Sequence, residues 1–156
     1  MQSEIMIATQ AEERSTKDMR AAVKKLSREY RDMKNYIVYI RNKRPTLLKQ
    51  AKMDLREYES RGVVTYADYV SRFPKSDRDI IETYAKCLRG VYCLEQGILS
   101  IEDERTRAIA SDMLLSSLKC DNVMERYHLS RSSVFEEKKK AIEKVAEFME
   151  RYENQE

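Results

Sequence analysis

An apolar stripe between residues 19 and 40 constrains the fold of this chain more than any other feature. Its members alternate four and three positions apart: Met19, Val23, Leu26, Tyr30, Met33, Ile37 and Ile40. This spacing extends over about three heptads and gives an α-helix one continuous apolar face. Pro45 then stops or kinks the helix, because the residue before a proline resists the α conformation. The stripe predicts a long helix that organises the N-terminal half.

Two arrangements would bury such a stripe. It can be the inner face of a long helix in a bundle formed by one chain, or the seam of a coiled coil between chains. In the second arrangement the stripe residues are oligomerisation residues, and a homo-oligomer is expected, with a dimer favoured. Tyr30 is bulky for a tight two-stranded seam. The spacing leaves both arrangements open.

Composition favours an all-α protein. The 156 residues include only three glycines and two prolines, and 37% of them are charged, so helix breakers are nearly absent. Further helices are predicted over about residues 46–61, 76–98 and 102–117, with a short helix between residues 63 and 74. No signal peptide or membrane-length apolar run is evident. The sequence therefore predicts a cytoplasmic protein with no membrane partner.

The C-terminal stretch contains two apolar-spaced segments that meet at "HLS", residues 128–130. Asp121 to Tyr127 is long enough for two helical turns, and Ser130 is a suitable N-cap because its hydroxyl can accept from an amide of the next turn. The second helix is predicted to continue to about residue 152. Its first turns carry polar side chains on the solvent side, which is typical of the DNA-reading helix of a helix-turn-helix.

The predicted architecture is therefore all-α, with two regions. Residues 1–100 form an N-terminal long-helix bundle or coiled coil with an oligomerisation or interaction role. Residues 101–156 contain a C-terminal helix-turn-helix that binds DNA.

The sequence "VMERYHLSRSSVFEEKKKAIEKV", residues 123–145, resembles the helix-turn-helix of sigma factor region 4 and of sigma-like phage regulators, including the ArpU-like autolysin regulators. The positions that carry the resemblance are Val123, Glu125, Arg126, Tyr127, Leu129, Ser130, Arg131, Ser132, Ser133 and Val134, followed by Lys140, Ala141, Ile142, Glu143 and Lys144. The chain differs from the family at Met124 and His128, where small residues and glycine are usual, and in the acidic pair Glu136 and Glu137.

The resemblance implies a sequence-specific transcriptional regulator of phage or mobile-element type that binds double-stranded DNA, with RNA polymerase as a second candidate partner. The residues assigned to DNA are Lys119, Arg126, Ser130, Arg131, Ser132, Ser133, Phe135, Glu136, Lys139 and Lys140. Their chemistry suits this role, because arginine can pair with guanine, serine can donate or accept, glutamate can accept from cytosine, and lysine meets phosphates.

Three alternatives stay open. The chain can be a small terminase-like subunit for DNA packaging, although the DNA-binding module generally comes first in such proteins. It can be a module that binds RNA polymerase or another protein, with weak DNA contact. In the third alternative, the two helices form only a structural pair, and "EEKKK" is a solvated face.

An enzyme is not expected. His128 is the only histidine, so the usual Ser-His and Cys-His pairings have a single candidate, and it lies in the predicted turn. The three glycines form no phosphate-binding loop. Carboxylates are numerous but dispersed, unlike a cluster of metal ligands. The sequence therefore assigns no catalytic residue, no metal site and no cofactor.

Overall fold

The structure, a computed structural model, describes the backbone of residues 2–51 and 73–154, and the side chains of residues 17–51 and 73–153. These residues form six α-helices and one π-helical turn, and no strand occurs among them, which confirms the all-α prediction. The elements are α1 (Gln2–Lys43), α2 (Pro45–Ala51), α3 (Lys75–Leu99), α4 (Glu104–Ala110), the π turn (Ser111–Leu115), α5 (Cys120–Tyr127) and α6 (Arg131–Asn154).

Most of the predicted helix limits agree with these bounds. Pro45 separates α1 from α2 and occupies the first position of α2, where its missing N–H removes no helical hydrogen bond. The helix predicted to begin near residue 76 corresponds to α3. The short helix predicted between residues 63 and 74 and the end of the second helix lie largely or wholly outside the described residues.

The helix predicted over residues 102–117 is interrupted. It divides into α4, capped by the Asp103 carboxylate, which accepts from the Thr106 N–H at 2.8 Å, and the π turn. The backbone N–H of Ser116 donates to the Ser111 carbonyl at 3.2 Å, which closes this wider turn. A π turn adds one residue to a helical turn and changes the direction of the side chains that follow. Periodicity in the sequence did not anticipate it.

The chain divides into two compact units. The predicted functional division at residue 100 stays a prediction. The terminal unit contains Met1–Tyr30 and Tyr92–Glu156, and the middle unit contains Arg31–Val91. The start of the chain thus belongs with its C-terminal part. One physical reason is visible in the hydroxyl of Ser27, which donates to the Leu114 carbonyl of the π turn at 2.8 Å. A helix end leaves carbonyls unsatisfied, and α1 supplies a donor for this one.

The middle unit has its own apolar core. Leu47 and Ala51 of α2 pack with Ile81 of α3, and Phe73 and Ile80 lie against them. Polar contacts add to this packing. Arg44 forms an ion pair with Asp77 at 2.9 Å, and the Nε of Arg41 donates to the Tyr84 hydroxyl at 2.9 Å.

The stripe residues of α1 are buried within a single copy of the chain. The exposed fraction is 0% for Val23 and 3% for Ile40, and Tyr30, Met33 and Ile37 are also buried. Met19 and Leu26 are half-buried. A side chain already covered by its own chain has little surface left for a partner. The stripe therefore packs mainly inside one chain, as the inner face of a bundle helix would. Its role as a seam between chains stays a prediction.

A charge placed at Val23 should distinguish core from seam in solution. We expect Val23→Asp to destabilise the fold by more than about 4 kcal/mol, because it buries an unpaired carboxylate, and so to unfold the chain. Ala21→Asp, which adds the same side chain at an exposed position of α1, should leave the chain folded. Circular dichroism and mass in solution provide the measurement. A folded monomer of Val23→Asp, from a wild-type dimer, would contradict the bundle interpretation.

Within the terminal unit, α3 and α6 approach closely at Gly97. A Cβ atom built on Gly97 would lie 2.8 Å from Cγ1 of Val145 and 3.3 Å from its Cα. Only glycine allows this approach without displacing a neighbour. The contact fixes the C-terminal half of α6 against α3.

We expect Gly97→Ala to destabilise the protein by about 1–3 kcal/mol, although alanine is the better helix former. In the Val145→Ala background the same substitution should cost less, because the atom that clashes first has been removed. Urea unfolding of the four proteins measures this coupling. Equal costs of Gly97→Ala in both backgrounds would show that the close approach is not the cause.

Candidate nucleic-acid interface

Three apolar side chains, one from each helix, hold α4, α5 and α6 together. Ile109 of α4, Val123 of α5 and Val134 of α6 form one cluster, with exposed fractions of 1%, 0% and 0%. Burying an aliphatic side chain of this size contributes about 1.5–3 kcal/mol. The cluster is further covered by Met113, Leu118, Cys120, Met124, Tyr127 and Leu129. The helices therefore form a compact three-helix group.

The chain reverses between α5 and α6 at residues 128–130, where the sequence predicts a turn. His128 has a left-handed backbone conformation, with φ 53° and ψ 49°, and its N–H donates to the Met124 carbonyl. Ser130 then caps α6: its hydroxyl accepts from the Ser133 N–H at 3.2 Å and donates to the Ser133 hydroxyl at 2.9 Å. The capping role predicted for Ser130 is confirmed. The backbone N–H and the hydroxyl of Ser133 both form hydrogen bonds within the same cap.

Arg126, which the sequence assigned to DNA, ties α5 to the π turn. Its guanidinium donates to the Asp112 carboxylate at 3.0 Å, and the Tyr127 hydroxyl donates to the same carboxylate. The hydrogen bond to Asp112 raises the pKa of Arg126, and burial together with that carboxylate raises the pKa of Tyr127. Arg105 of α4 holds the same end of α5, because it donates to the Tyr127 carbonyl at 2.6 Å. Arg126 therefore has a structural partner.

The remaining predicted DNA contacts lie mostly on the first turns of α6. Lys119 is the exposed N-cap of α5. The exposed positions of α6 in this set are Arg131, Ser132, Phe135, Glu136, Lys139 and Lys140. They surround the buried Val134, which anchors the same turns from below. The sequence predicted all of these except Phe135 on the solvent side, where they lie; Ser133, predicted there too, is half-buried.

Ion pairs neutralise little of the charge on this surface. Arg131 lies 3.4 Å from Asp121, but both side chains are mostly exposed, at 67% and 82%. Lys140 lies 3.9 Å from Glu137. Exposed pairs with this geometry contribute about 0–1 kcal/mol and are readily exchanged for another partner. The cations can therefore turn to a phosphate or a base.

Sequence reasoning missed three cations beside this surface. Arg20 and Lys24 of α1 and Lys138 of α6 line a groove together with Phe135, Lys139 and Ile142. Arg20 and Lys24 are four residues apart, so the sequence does place them on one face of α1. Nothing in the spacing indicates that this face lies beside α6.

No protein-family model matches the chain, and comparison with curated proteins and with solved structures finds no significant similarity. Among residues 2–51 and 73–154, no helix has the length and apolar character of a bilayer span. Among the described side chains, those of residues 17–51 and 73–153, no three His, Cys, Asp or Glu residues converge on a point where a metal ion could bind.

Substitution by glycine tests the left-handed backbone conformation of His128. We expect His128→Gly to stabilise the protein by about 1 kcal/mol, because glycine adopts this conformation without the clash of a Cβ atom. Ser117, with φ 53°, should respond to glycine in the same direction. Thermal unfolding gives the comparison. Glu125→Gly, at an exposed helical position of α5, is the control and should destabilise by about 1 kcal/mol. Destabilisation by His128→Gly would show that the imidazole has a role in the turn.

Proposed function

We propose that the chain is a sequence-specific DNA-binding transcriptional regulator, with α5, the turn and α6 acting as a helix-turn-helix. One observation carries the proposal: a compact three-helix group buries Val134 while it leaves most of the surrounding polar side chains of the first two turns of α6 exposed. In a helix-turn-helix, the N-terminal residues of the second helix enter the major groove and contact base edges. The resemblance to sigma factor region 4 and to phage regulators supports the same function.

The exposed residues divide by the contacts they can make. Arg131 can donate two hydrogen bonds to guanine, Ser132 can donate or accept, and Glu136 can accept from the cytosine amino group. Lys139 and Lys140 lie two turns further along α6, where phosphates are nearer than bases. In this proposal the first three residues supply specificity, and the lysines supply affinity that depends on salt.

Arg126 and Ser133 have supporting roles. Arg126 holds α5 against the π turn through Asp112, and Ser133 completes the cap with Ser130. Both therefore orient the first turn of α6 rather than contact DNA. The stripe of α1 is buried within one chain and defines no dimer interface, so we propose the function for a single copy of the chain. A selected DNA site with two-fold symmetry would indicate binding as a dimer.

The test begins with duplexes selected by the wild-type protein from a random-sequence pool. On the selected site, we expect Arg131→Ala to cost about 1–3 kcal/mol and to reduce discrimination between sites. Lys140→Ala should weaken binding to all sequences and lower the salt slope by about one. Fluorescence anisotropy across a salt series measures both effects.

Arg151→Ala is the control, because Arg151 is exposed in the last turn of α6, far from the turn. It should leave discrimination between sites unchanged. If the folded wild-type protein enriches no sequence and binds no duplex at low salt, the proposal is wrong, and the two helices form a structural or protein-binding pair.

A further inference from the structure

A basic groove in the terminal unit lies between α1 and the first half of α6. The helix α1 contributes Arg20 and Lys24, and α6 contributes Phe135, Lys138, Lys139 and Ile142. Four cationic side chains thus surround a floor made by one aromatic and one aliphatic residue. None of these groups belongs to the apolar cluster that joins α4, α5 and α6.

Acidic side chains of the protein offset little of the positive charge in this groove. Among the described residues, Lys24, Lys138 and Lys139 form no ion pair with an acidic side chain. Arg20 has one contact, at 3.7 Å to Glu143, and both of these side chains are partly exposed. A surface that gathers unpaired cations attracts anions, and low-dielectric walls strengthen that attraction.

The position of the groove indicates which anion would bind. Phe135 and Lys139 belong to the groove and also to the exposed face of α6 proposed to meet DNA. If the bases of one DNA strand contact Arg131, the next phosphates of that strand would pass Phe135 and Lys139 toward α1. The ring of Phe135 is 57% exposed. It offers an apolar surface to the deoxyribose units between the phosphates. Repeated negative charges joined by apolar sugars suit this combination.

We infer that the groove binds the phosphate backbone of duplex DNA, with Lys24 and Arg20 of α1 extending the contact surface of the helix-turn-helix. The inference rests on the proposed function. It adds a second DNA-binding element from the opposite end of the chain, which neither the motif nor its resemblance assigns. The contact is independent of sequence, because it is made to phosphate and sugar.

The experiment compares Lys24→Gln with Lys25→Gln on a mixed-sequence duplex of about 30 base pairs, long enough to continue beyond a single recognition site. Lys25 is the adjacent exposed residue of α1 and does not line the groove. We expect Lys24→Gln to lower the salt slope by about one, so that affinity changes about fourfold less between about 50 and 200 mM salt. Lys25→Gln should leave the slope unchanged. Circular dichroism verifies that both variants are folded.

Arg131→Ala, measured on the selected site, separates this inference from the proposed function. If Arg131→Ala weakens binding while Lys24→Gln and Lys25→Gln retain the wild-type slope, the groove inference is overturned and the proposed function stands. If the folded wild-type protein binds no duplex, both are overturned. A third outcome is that a polyglutamate peptide binds the wild type but not Lys24→Gln, while DNA binding is unaffected. This result would assign the groove to an acidic protein and also overturn the inference.

Discussion

The packing of Ile109, Val123 and Val134 against one another is the interaction on which the candidate interface depends. Each side chain comes from a different helix, and all three are almost fully excluded from water. Because α5 has only eight residues, it could not persist as an isolated helix in water. Its stability comes from this contact, from the tie to Asp112 and from the hydrogen bond that Arg105 donates. The direction of α6 at its start follows from the same contacts.

The two parts of helix α6 differ in burial. Its second half is buried through Ala141, Ile142, Val145, Ala146 and Met149, and its close approach to Gly97 fixes it in the terminal unit. Its first turns have one deep anchor, Val134, and otherwise present mostly polar and charged side chains beside the exposed ring of Phe135. A rigid base beneath an exposed polar end is what a reading helix requires, since side chains that contact bases must be held in position. In the proposed DNA complex, the charges on this end supply affinity, and the geometry of the cap and turn supplies orientation.

Local patterns in the sequence were sufficient for features that depend on local physics. The spacing of apolar residues predicted α1, α3 and α6, and the serine at residue 130 predicted a cap that the structure contains. Features that depend on a distant partner were not predictable in this way. The α1 stripe fits a seam or a core equally well, because spacing defines a face but not what covers it. For the same reason the sequence did not show that Asp112 engages Arg126 or that Lys24 lies beside α6.

Backbone amide chemical shifts, measured by NMR while a duplex carrying the selected site is added, report whether the first half of α6 contacts DNA. The chain of 18.5 kDa is suitable for this measurement. We expect the largest shift changes at residues 130–140, smaller ones at residues 20–24, and none at residues 44–51 of the middle unit. Changes that decrease as salt is raised would fit contacts to phosphates. An absence of changes at residues 130–140, with the protein folded and the duplex in excess, would show that α6 does not contact DNA.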